Sequence, residues 1–260
     1  MCIVLITPTG GRSTQMNLCA QFMIRQTYTG KVVWIIIDDC HPRTTNFIPE
    51  TFRENWTIIK VYPVPLWQPG LNTQGRNLSV GINTLLKNYR EEDIEAIFII
   101  EDDDFYKTVY LERMMLQMNG YKLIGEINTI YYNVFYRRYF NNGNNCHASL
   151  FQIAFSADAI PVFRECYPAR FIDAHFFMLY VKMNNRAVNL FNEDHLSIGI
   201  KGLPGRAGIG AGHGRAMNMR QDINGSYLSS LIGADAGLYS SYYGGDYAQR
   251  RSGQLYSRRR

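Results

Sequence analysis

The sequence has 260 residues, of which 46% are hydrophobic, so the chain is long enough for one large α/β domain or two small ones and too apolar for global disorder. The formal net charge is +5, but the arginines within residues 250–260 account for this excess, and the body of the chain is near neutral. The five cysteines form no C-x-x-C pair, which argues against a disulfide framework or a zinc knuckle and favours a reducing, cytoplasmic compartment. No basic leader and no apolar run of membrane-spanning length is visible, so we expect a soluble protein without a membrane partner.

The first part of the chain alternates apolar, strand-like runs with helical patterns. Strands are predicted over residues 2–6, 31–37, 57–62 and 96–100, and helices over 13–26 and from 72–77 onward. This β-α-β-β-α-β order is typical of an open α/β sheet, which binds ligands outside the carboxyl ends of its strands. Polar residues follow three of the strands, at Thr7–Arg12, Asp38–Asp39 and Glu101–Asp104. The sequence therefore predicts a ligand site at that edge of the sheet.

The acidic turn, Glu101 to Asp104, ends the fourth strand with adjacent carboxylates. Such carboxylates repel one another unless cations or solvent neutralise them. Their hard oxygen atoms suit Mg²⁺ or Mn²⁺, which can in turn hold a diphosphate. A solvated acidic turn that merely ends a strand is the alternative interpretation of the same residues.

The second part of the chain is richer in strand-forming residues. Runs at 129–136 and 149–155 are predicted to pair as a hairpin across the loop 141–145. A helix over 172–183 and strands over 187–191 and 196–200 follow, then a glycine-rich stretch, 199–214, that reads as a mobile loop. Beyond about residue 220 we expect one short helix over 227–232 and a poorly ordered end.

Four segments, in this order, resemble nucleotide-sugar glycosyltransferases of the GT-A fold, particularly the large inverting (family 2-like) group that begins with a Thr-Pro-Thr turn. The segments are Thr7-Pro-Thr-Gly-Gly-Arg12, Trp34-Ile-Ile-Ile-Asp-Asp39, Gln74-Gly-Arg-Asn77 and Ile100-Glu-Asp-Asp-Asp-Phe-Tyr106. The resemblance implies an α/β, Rossmann-like nucleotide-binding single domain with a mixed central sheet. It places the GT-A domain at 1–215, with a nucleotide-sugar half to about 106 and an acceptor half over 107–215, and leaves 216–260 as a Gly-, Tyr- and Arg-rich tail.

The same resemblance implies roles for the residues at the strand ends. Binding of the nucleotide-sugar, most simply a UDP-sugar, is assigned to Thr7, Pro8, Thr9, Arg12, Asp38, Asp39, Arg76, Asp102 and Asp103. Either Asp38 or Asp39 would accept hydrogen bonds from the base, as an ionised carboxylate can. Arg76 would bind a diphosphate oxygen at a helix N-terminus, where backbone N–H groups add to its charge.

A divalent cation, Mn²⁺ or Mg²⁺, is the cofactor that the resemblance implies. Its ligands would be Asp103 or Asp104, together with His213 in the glycine-rich stretch. The ion would offset the charge on the departing nucleoside diphosphate. A solvent-exposed loop histidine is the alternative for His213.

An inverting transferase also needs a general base to deprotonate the acceptor hydroxyl. Asp173 and Asp194 both fit, and Asp173 is preferred because its apolar neighbours would desolvate it and raise its pKa. A retaining mechanism needs no such base and stays open.

The acceptor is the least determined partner. Arginines interleaved with tyrosines suit stacking on bases and neutralising phosphates, and the candidates are Arg137, Arg138, Arg250 and Arg251. By resemblance to phage-encoded enzymes, the best hypothesis is a hydroxymethylated base in phage DNA, flipped into the pocket, in the host cytoplasm. A saccharide or protein acceptor is the alternative within the same class. A nucleotidyltransferase and a non-catalytic binding module are the alternatives from other classes.

Overall fold

The computed structural model describes residues 1–184, 187–208 and 219–244. The strands in the described residues are β1 Cys2–Thr9, β2 Val32–Asp38, β3 Trp56–Val61, β4 Ile94–Ile99, β5 Phe105–Tyr106, β6 Leu123–Glu126, β7 Thr129–Asn133, β8 Arg138–Asn142, β9 Ile153–Phe155, β10 Val188–Phe191, β11 Ser197–Lys201 and β12 Arg220–Gln221. The helices are α1 Ser13–Ile24, α2 Gln74–Asn88, α3 Tyr110–Gln117, α4 Ile160–Glu165, α5 Ile172–Asn184 and α6 Ser226–Ile232. Short 3₁₀ segments lie at 91–93, 150–152, 157–159 and 233–242.

A mixed sheet with the strand order β10-β6-β9-β4-β1-β2-β3 forms the centre of the fold. Strands β1 to β4 pair in parallel, whereas β9 runs antiparallel to both β4 and β6. The second half of the chain therefore extends the sheet of the first half, and the two halves form a single α/β domain with a mixed central sheet, as predicted.

Side chains that alternate along the central strands build two cores, one on each face of the sheet. In β1, Ile3 and Leu5 pack on one face while Val4 and Ile6 pack on the other. Helices α1, α3 and α6 cover the first face, and α2, α4 and α5 cover the second. Because both faces are covered, β1, β2 and β4 read as continuous apolar runs in the sequence.

A smaller sheet with the order β12-β8-β7-β11-β5 stands beside the carboxyl ends of the central strands. Its strand β5 follows the acidic turn directly and pairs with β11, Ser197 opposite Tyr106. The last residue of β11, Lys201, is thereby brought to the acidic turn.

The predicted hairpin between residues 129–136 and 149–155 is wrong. Strand β7 pairs instead with β8, Asn133 opposite Arg138, and β9 lies between β4 and β6. The observed hairpin closes a much shorter loop, which costs less conformational entropy than the loop required by the predicted pairing. Strand-like composition identified the segments but not their partners.

The first strand also continues further than predicted. The pattern placed a break at Thr7, whereas β1 extends to Thr9, which lies opposite Asp38 of β2. Pairing with β4 ends at Ile6, so Pro8 is tolerated where only one neighbouring strand remains. Within the part of the chain that the structure describes, no helix is long and apolar enough to cross a membrane.

Candidate functional site

A cleft of about 640 Å³ opens at the carboxyl ends of β1 and β4. Its lining includes Pro8, Arg12, Asp102 and Asp103 from the first half of the chain. The second half of the chain contributes other lining residues, among them Asp173 at the start of α5. The cleft thus joins the predicted nucleotide half to the predicted acceptor half.

Arg12, in the turn after β1, neutralises part of the acidic turn. Its Nη1 lies 3.1 Å from Asp102 Oδ1 and its Nη2 lies 2.8 Å from Asp103 Oδ2. Thr9 Oγ1 donates a 2.6 Å hydrogen bond to the other oxygen of Asp102. Burial nevertheless raises the pKa of Asp102 to about 6, against the attraction of Arg12. The segment Thr7 to Arg12 therefore contacts the acidic turn through Thr9 and Arg12.

Lys201 is the second cation at the acidic turn. Its Nζ lies 3.1 Å from Asp103 Oδ2 and 2.7 Å from Asp104 Oδ1, and its side chain is only 5% exposed. Burial alone would lower the pKa of Lys201, but the carboxylates of Asp103, Asp104 and Glu101 outweigh it and raise that pKa above its ordinary value. Lys201 is therefore held as a buried ammonium ion.

The predicted metal ligands do not fit a divalent cation in this arrangement. Asp103 Oδ2 and Asp104 Oδ1 both accept hydrogen bonds from the Lys201 ammonium, and Asp104 Oδ1 also accepts the backbone N–H of Ile200 at 3.0 Å. Asp104 Oδ2 is buried without a hydrogen-bond partner, but Asp104 does not line the cleft. Among the described residues, no group of three or more His, Cys, Asp or Glu side chains is arranged to hold a metal ion. His213 lies outside the described residues, and the Mn²⁺ or Mg²⁺ site stays a prediction.

Asp39 accepts hydrogen bonds from polar side chains of two distant segments, the start of α2 and Arg206. Its Oδ2 accepts hydrogen bonds from Thr73 Oγ1, Asn77 Nδ2 and Arg76 Nη2, at 2.5, 2.8 and 3.1 Å. Its Oδ1 accepts a 2.9 Å bond from Arg206, whose guanidinium lies 4.9 Å from the Trp67 ring centre and lines the cleft. The buried carboxylate of Asp39 therefore positions Arg206 on the cleft surface.

Gly10 makes room for this carboxylate. Its φ is +150°, and a Cβ atom added there would lie 2.1 Å from Asp39 Oδ1. A side chain at this position would therefore displace Asp39 as well as strain the backbone. Glycine is therefore required at position 10, because the backbone of the turn after β1 lies directly against the Asp39 carboxylate.

Asp38, the other candidate for the nucleotide base, serves the loop that follows β2. Its Oδ2 accepts the backbone N–H groups of Thr44 and Thr45 at 2.7 and 3.2 Å and the Thr45 hydroxyl at 3.1 Å. Its Oδ1 accepts the backbone N–H of Cys40 at 3.3 Å. The side chain is fully buried and does not line the cleft, so its contacts are structural.

Replacing this carboxylate gives a stability prediction. Asp38→Ala is expected to lower the free energy of unfolding by about 3 kcal/mol, because buried backbone donors lose their charged acceptor. Urea denaturation measures the change, and Asp38→Asn, which keeps one acceptor oxygen, should lose less. Unfolding of Asp38→Ala at the wild-type urea midpoint would contradict the structural role.

Of the two candidate bases, only Asp173 faces the cleft. It is half-buried, accepts the backbone N–H of Ala174 at 2.9 Å, and has its pKa raised above the ordinary value by burial. The Asp194 side chain is 99% exposed, pairs with Lys107 at 3.3 Å, and does not line the cleft. The geometry therefore favours Asp173.

Several other predicted residues lie away from the cleft. Thr7 is buried and its hydroxyl accepts the indole N–H of Trp34 at 2.9 Å. Arg76 donates to Pro65 O and to Asp39 instead of facing the cleft. Arg137 donates to Ile223 O and lies 3.5 Å from the ring centre of Tyr243, beside a separate cavity.

The structure describes only some of the arginines that are predicted to contact the acceptor. Arg138 lies on β8 opposite Gln221 and does not line the cleft. Arg250 and Arg251 lie outside the described residues.

Sequence reasoning missed the two cations that complete the site. Lys201 and Arg206 both lie within the glycine-rich stretch 199–214, for which the sequence predicts only a loop that carries His213. The available signal was a single cation directly after the predicted strand 196–200, at the strand end where a ligand site is expected.

Comparison with known proteins supports the fold. No protein-family model and no curated protein matches the sequence. The chain is similar to the solved structure of S. aureus TarS residues 1–349 in complex with UDP, with 12% identity and a TM-score of 0.52 over 77% of this chain. This chain spans 60% of that structure. In the complex of the same TarS fragment with UDP-GlcNAc, the identity is 12% and the TM-score 0.50 over 99% of this chain and 77% of that one. The described chain therefore shares a GT-A-like fold with these structures.

Proposed function

We propose that the protein transfers a sugar from a nucleoside-diphosphate sugar to a hydroxyl acceptor. The observation that carries the proposal is that Arg12 and Asp102, from the predicted nucleotide-sugar half, line the same cleft as Asp173 and Arg206, from the predicted acceptor half. A cleft lined by both guanidinium groups and a desolvated carboxylate suits the binding of a diphosphate leaving group together with a general base. The TarS structures with the same fold contain UDP and UDP-GlcNAc, which supports a UDP-sugar as the donor.

Two apolar side chains and two guanidinium groups line the part of the cleft that we assign to the donor. Pro8 and Trp67 line the cleft beside Arg12 and Arg206 and suit the base and ribose. Arg206 is oriented by its bond to Asp39 and carries positive charge toward the cleft, which suits a diphosphate oxygen. The direct contact of Asp39 with the base, predicted from the sequence, does not fit the structure, because this carboxylate is fully buried and does not line the cleft.

The transfer step follows from this arrangement. Asp173 takes the proton of the acceptor hydroxyl as the oxygen of that hydroxyl attacks the anomeric carbon of the donor sugar. The new C–O bond forms as the bond to the nucleoside diphosphate breaks, and the electron pair leaves with the diphosphate. Such a single displacement inverts the anomeric centre, in line with the predicted inverting mechanism.

The nature of the acceptor stays a prediction. A hydroxymethylated base in DNA remains the leading hypothesis from the sequence, with a saccharide or protein as its alternative. Phe171 is a large aromatic side chain at the cleft with 55% exposure, and Arg170 lies beside its ring at 5.4 Å. An aromatic ring with a neighbouring guanidinium stacks on flat rings of either kind, so it does not separate the two.

A thermal-shift and turnover experiment tests the proposed function. UDP and UDP-GlcNAc are expected to raise the melting temperature, because a ligand at 100 times its Kd stabilises the native state by about 2.7 kcal/mol. Acceptors offered separately, hydroxymethylated DNA and oligosaccharides, are then assayed for release of UDP and gain of sugar. Release of inorganic diphosphate instead would identify a nucleotidyltransferase, and no shift with any nucleotide would contradict the proposal.

A further inference from the structure

Lys201 occupies the position at the acidic turn where a metal ion is predicted. Its ammonium lies between Asp103 Oδ2 and Asp104 Oδ1, at 3.1 and 2.7 Å. It also lines the cleft, so its charge reaches the space assigned to the donor. An ammonium carries three donors, and the two aspartates accept two of them.

The backbone around Lys201 fixes this position. Lys201 ends β11 opposite Asn133 of β7, and its carbonyl oxygen accepts the backbone N–H of Val134 at 2.8 Å. The preceding residue, Ile200, donates its backbone N–H to Asp104. The ammonium lies 5.8 and 5.9 Å from the ring centres of Tyr131 and Phe151, within the range of cation–π attraction. The strand and the two aromatic rings therefore fix the position of Lys201, unlike that of a lysine that rotates freely at the surface.

Arg12 extends the same cationic surface. It binds Asp102 and the same Asp103 oxygen that Lys201 contacts, and it too lines the cleft. Two fixed cations thus bridge three successive carboxylates. A divalent ion entering between Asp103 and Asp104 would have to expel the ammonium from a buried site, and desolvated ion pairs are costly to break.

We infer that Lys201, with Arg12, is the built-in counter-ion of the donor diphosphate, so that donor binding and sugar transfer need no divalent cation. The inference rests on the proposed function and concerns how the same cleft holds the leaving group. In that role Lys201 and Arg12 offset two of the three carboxylate charges of Asp102 to Asp104, and Lys201 lines the cleft in which negative charge develops on the diphosphate.

The first experiment measures UDP binding to the wild-type protein by calorimetry. Affinities in excess EDTA and in excess Mn²⁺ are expected to agree within about twofold, a difference of about 0.4 kcal/mol. Titration with Mn²⁺ alone should give no binding heat. UDP binding that appears only with Mn²⁺ would overturn the inference and identify Lys201 as a residue that the metal displaces. No UDP binding under either condition would instead overturn the proposed function, and the inference with it.

Substitution of Lys201 provides the second test. Lys201→Ala is expected to weaken UDP binding in EDTA by at least about tenfold, and Mn²⁺ should restore it, because the freed carboxylates become metal ligands. Lys201→Met, which fills the volume without the charge, covers the case in which the alanine variant does not fold. Lys107→Ala, which removes a lysine paired with Asp194 outside the cleft, is the matched control and should bind UDP like the wild type. Unchanged UDP binding by a folded Lys201 variant in EDTA would overturn the inference.

Discussion

Asp173→Asn is expected to slow sugar transfer by about 10²- to 10⁴-fold while UDP still binds. Asp173 is a carboxylate that lines the same cleft as Arg12 and Arg206, and burial raises its pKa and so its basicity. Asparagine keeps the shape of the side chain but does not accept a proton. Steady-state rates of UDP release with a saturating acceptor measure the loss, and calorimetry with UDP checks that the donor site is intact.

Asp194→Asn is the matched control, since it removes the other candidate base. Its carboxylate is 99% exposed and lies outside the cleft, so the variant should transfer sugar at the wild-type rate. The wild-type rate should also rise with pH as Asp173 ionises, at a higher pH than an ordinary aspartate requires. A rate loss in Asp194→Asn alone, or full activity in Asp173→Asn, would reverse the assignment of the base.

The central sheet is the part of the fold that the sequence predicts well, because its signals are local. In β4, the alternation of Ile97 and Ile99 with Phe98 fills both cores, which makes the run continuously apolar and easy to identify. The partners of the later strands are less visible. Residues 149–155 have strand-forming composition, yet only Ile153–Phe155 forms a strand, between β4 and β6. Which sheet accepts a strand depends on contacts distant in sequence, and composition does not encode those contacts.

The same contrast holds within the site. The acidic turn and Asp39 were found because carboxylates at strand ends stand out in the sequence. The cations that bind them were missed because they come from distant segments: Lys201 pairs with Asp104 across 97 positions and Arg206 with Asp39 across 167. The acidic motif therefore predicted carboxylates that bind a metal ion. In the folded protein, lysine and arginine side chains of the same chain bind these carboxylates instead. Long-range ion pairs of this kind follow from the topology of β11 and not from any short pattern.

Glu126, at the end of β6, is a buried carboxylate that links the two sheets. Both of its oxygens accept the backbone N–H of Leu196 at 3.0 Å, and Gln152 Nε2 donates to Oε2 at 3.3 Å. Burial raises the pKa of Glu126 to about 7, although these hydrogen bonds oppose the shift. The folded state therefore holds a proton on Glu126 at pH values where the unfolded chain, at an ordinary value near 4.5, has released it.

This difference in proton binding predicts how stability depends on pH. For an acid whose pKa is raised on folding, stability is fully present below the unfolded value and is lost as pH rises through the folded one. Between pH 4.5 and about 7, Glu126 should therefore reduce the free energy of unfolding by about 3 kcal/mol. Glu126→Gln removes this titration, so its stability relative to the wild type should rise by that amount across the same interval. Urea unfolding at half-unit pH steps measures the difference.

Comparing Glu126→Gln with the wild type also removes the contribution of other titrating groups. Glu101 and Asp102 have raised pKa values too, and they titrate in the same range in the variant and in the wild type. Their contribution cancels when the variant is subtracted from the wild type, provided that the sites act independently across the fold. The remaining difference in the free energy of unfolding should not change with pH below pH 4 or above pH 8, where Glu126 has the same charge in the folded and the unfolded chain. Any constant offset measures the changed hydrogen bonding to Leu196 and Gln152. A difference that stays flat between pH 4.5 and 7 would mean that Glu126 ionises in the folded protein as it does in the unfolded chain, with its backbone hydrogen bonds compensating for burial.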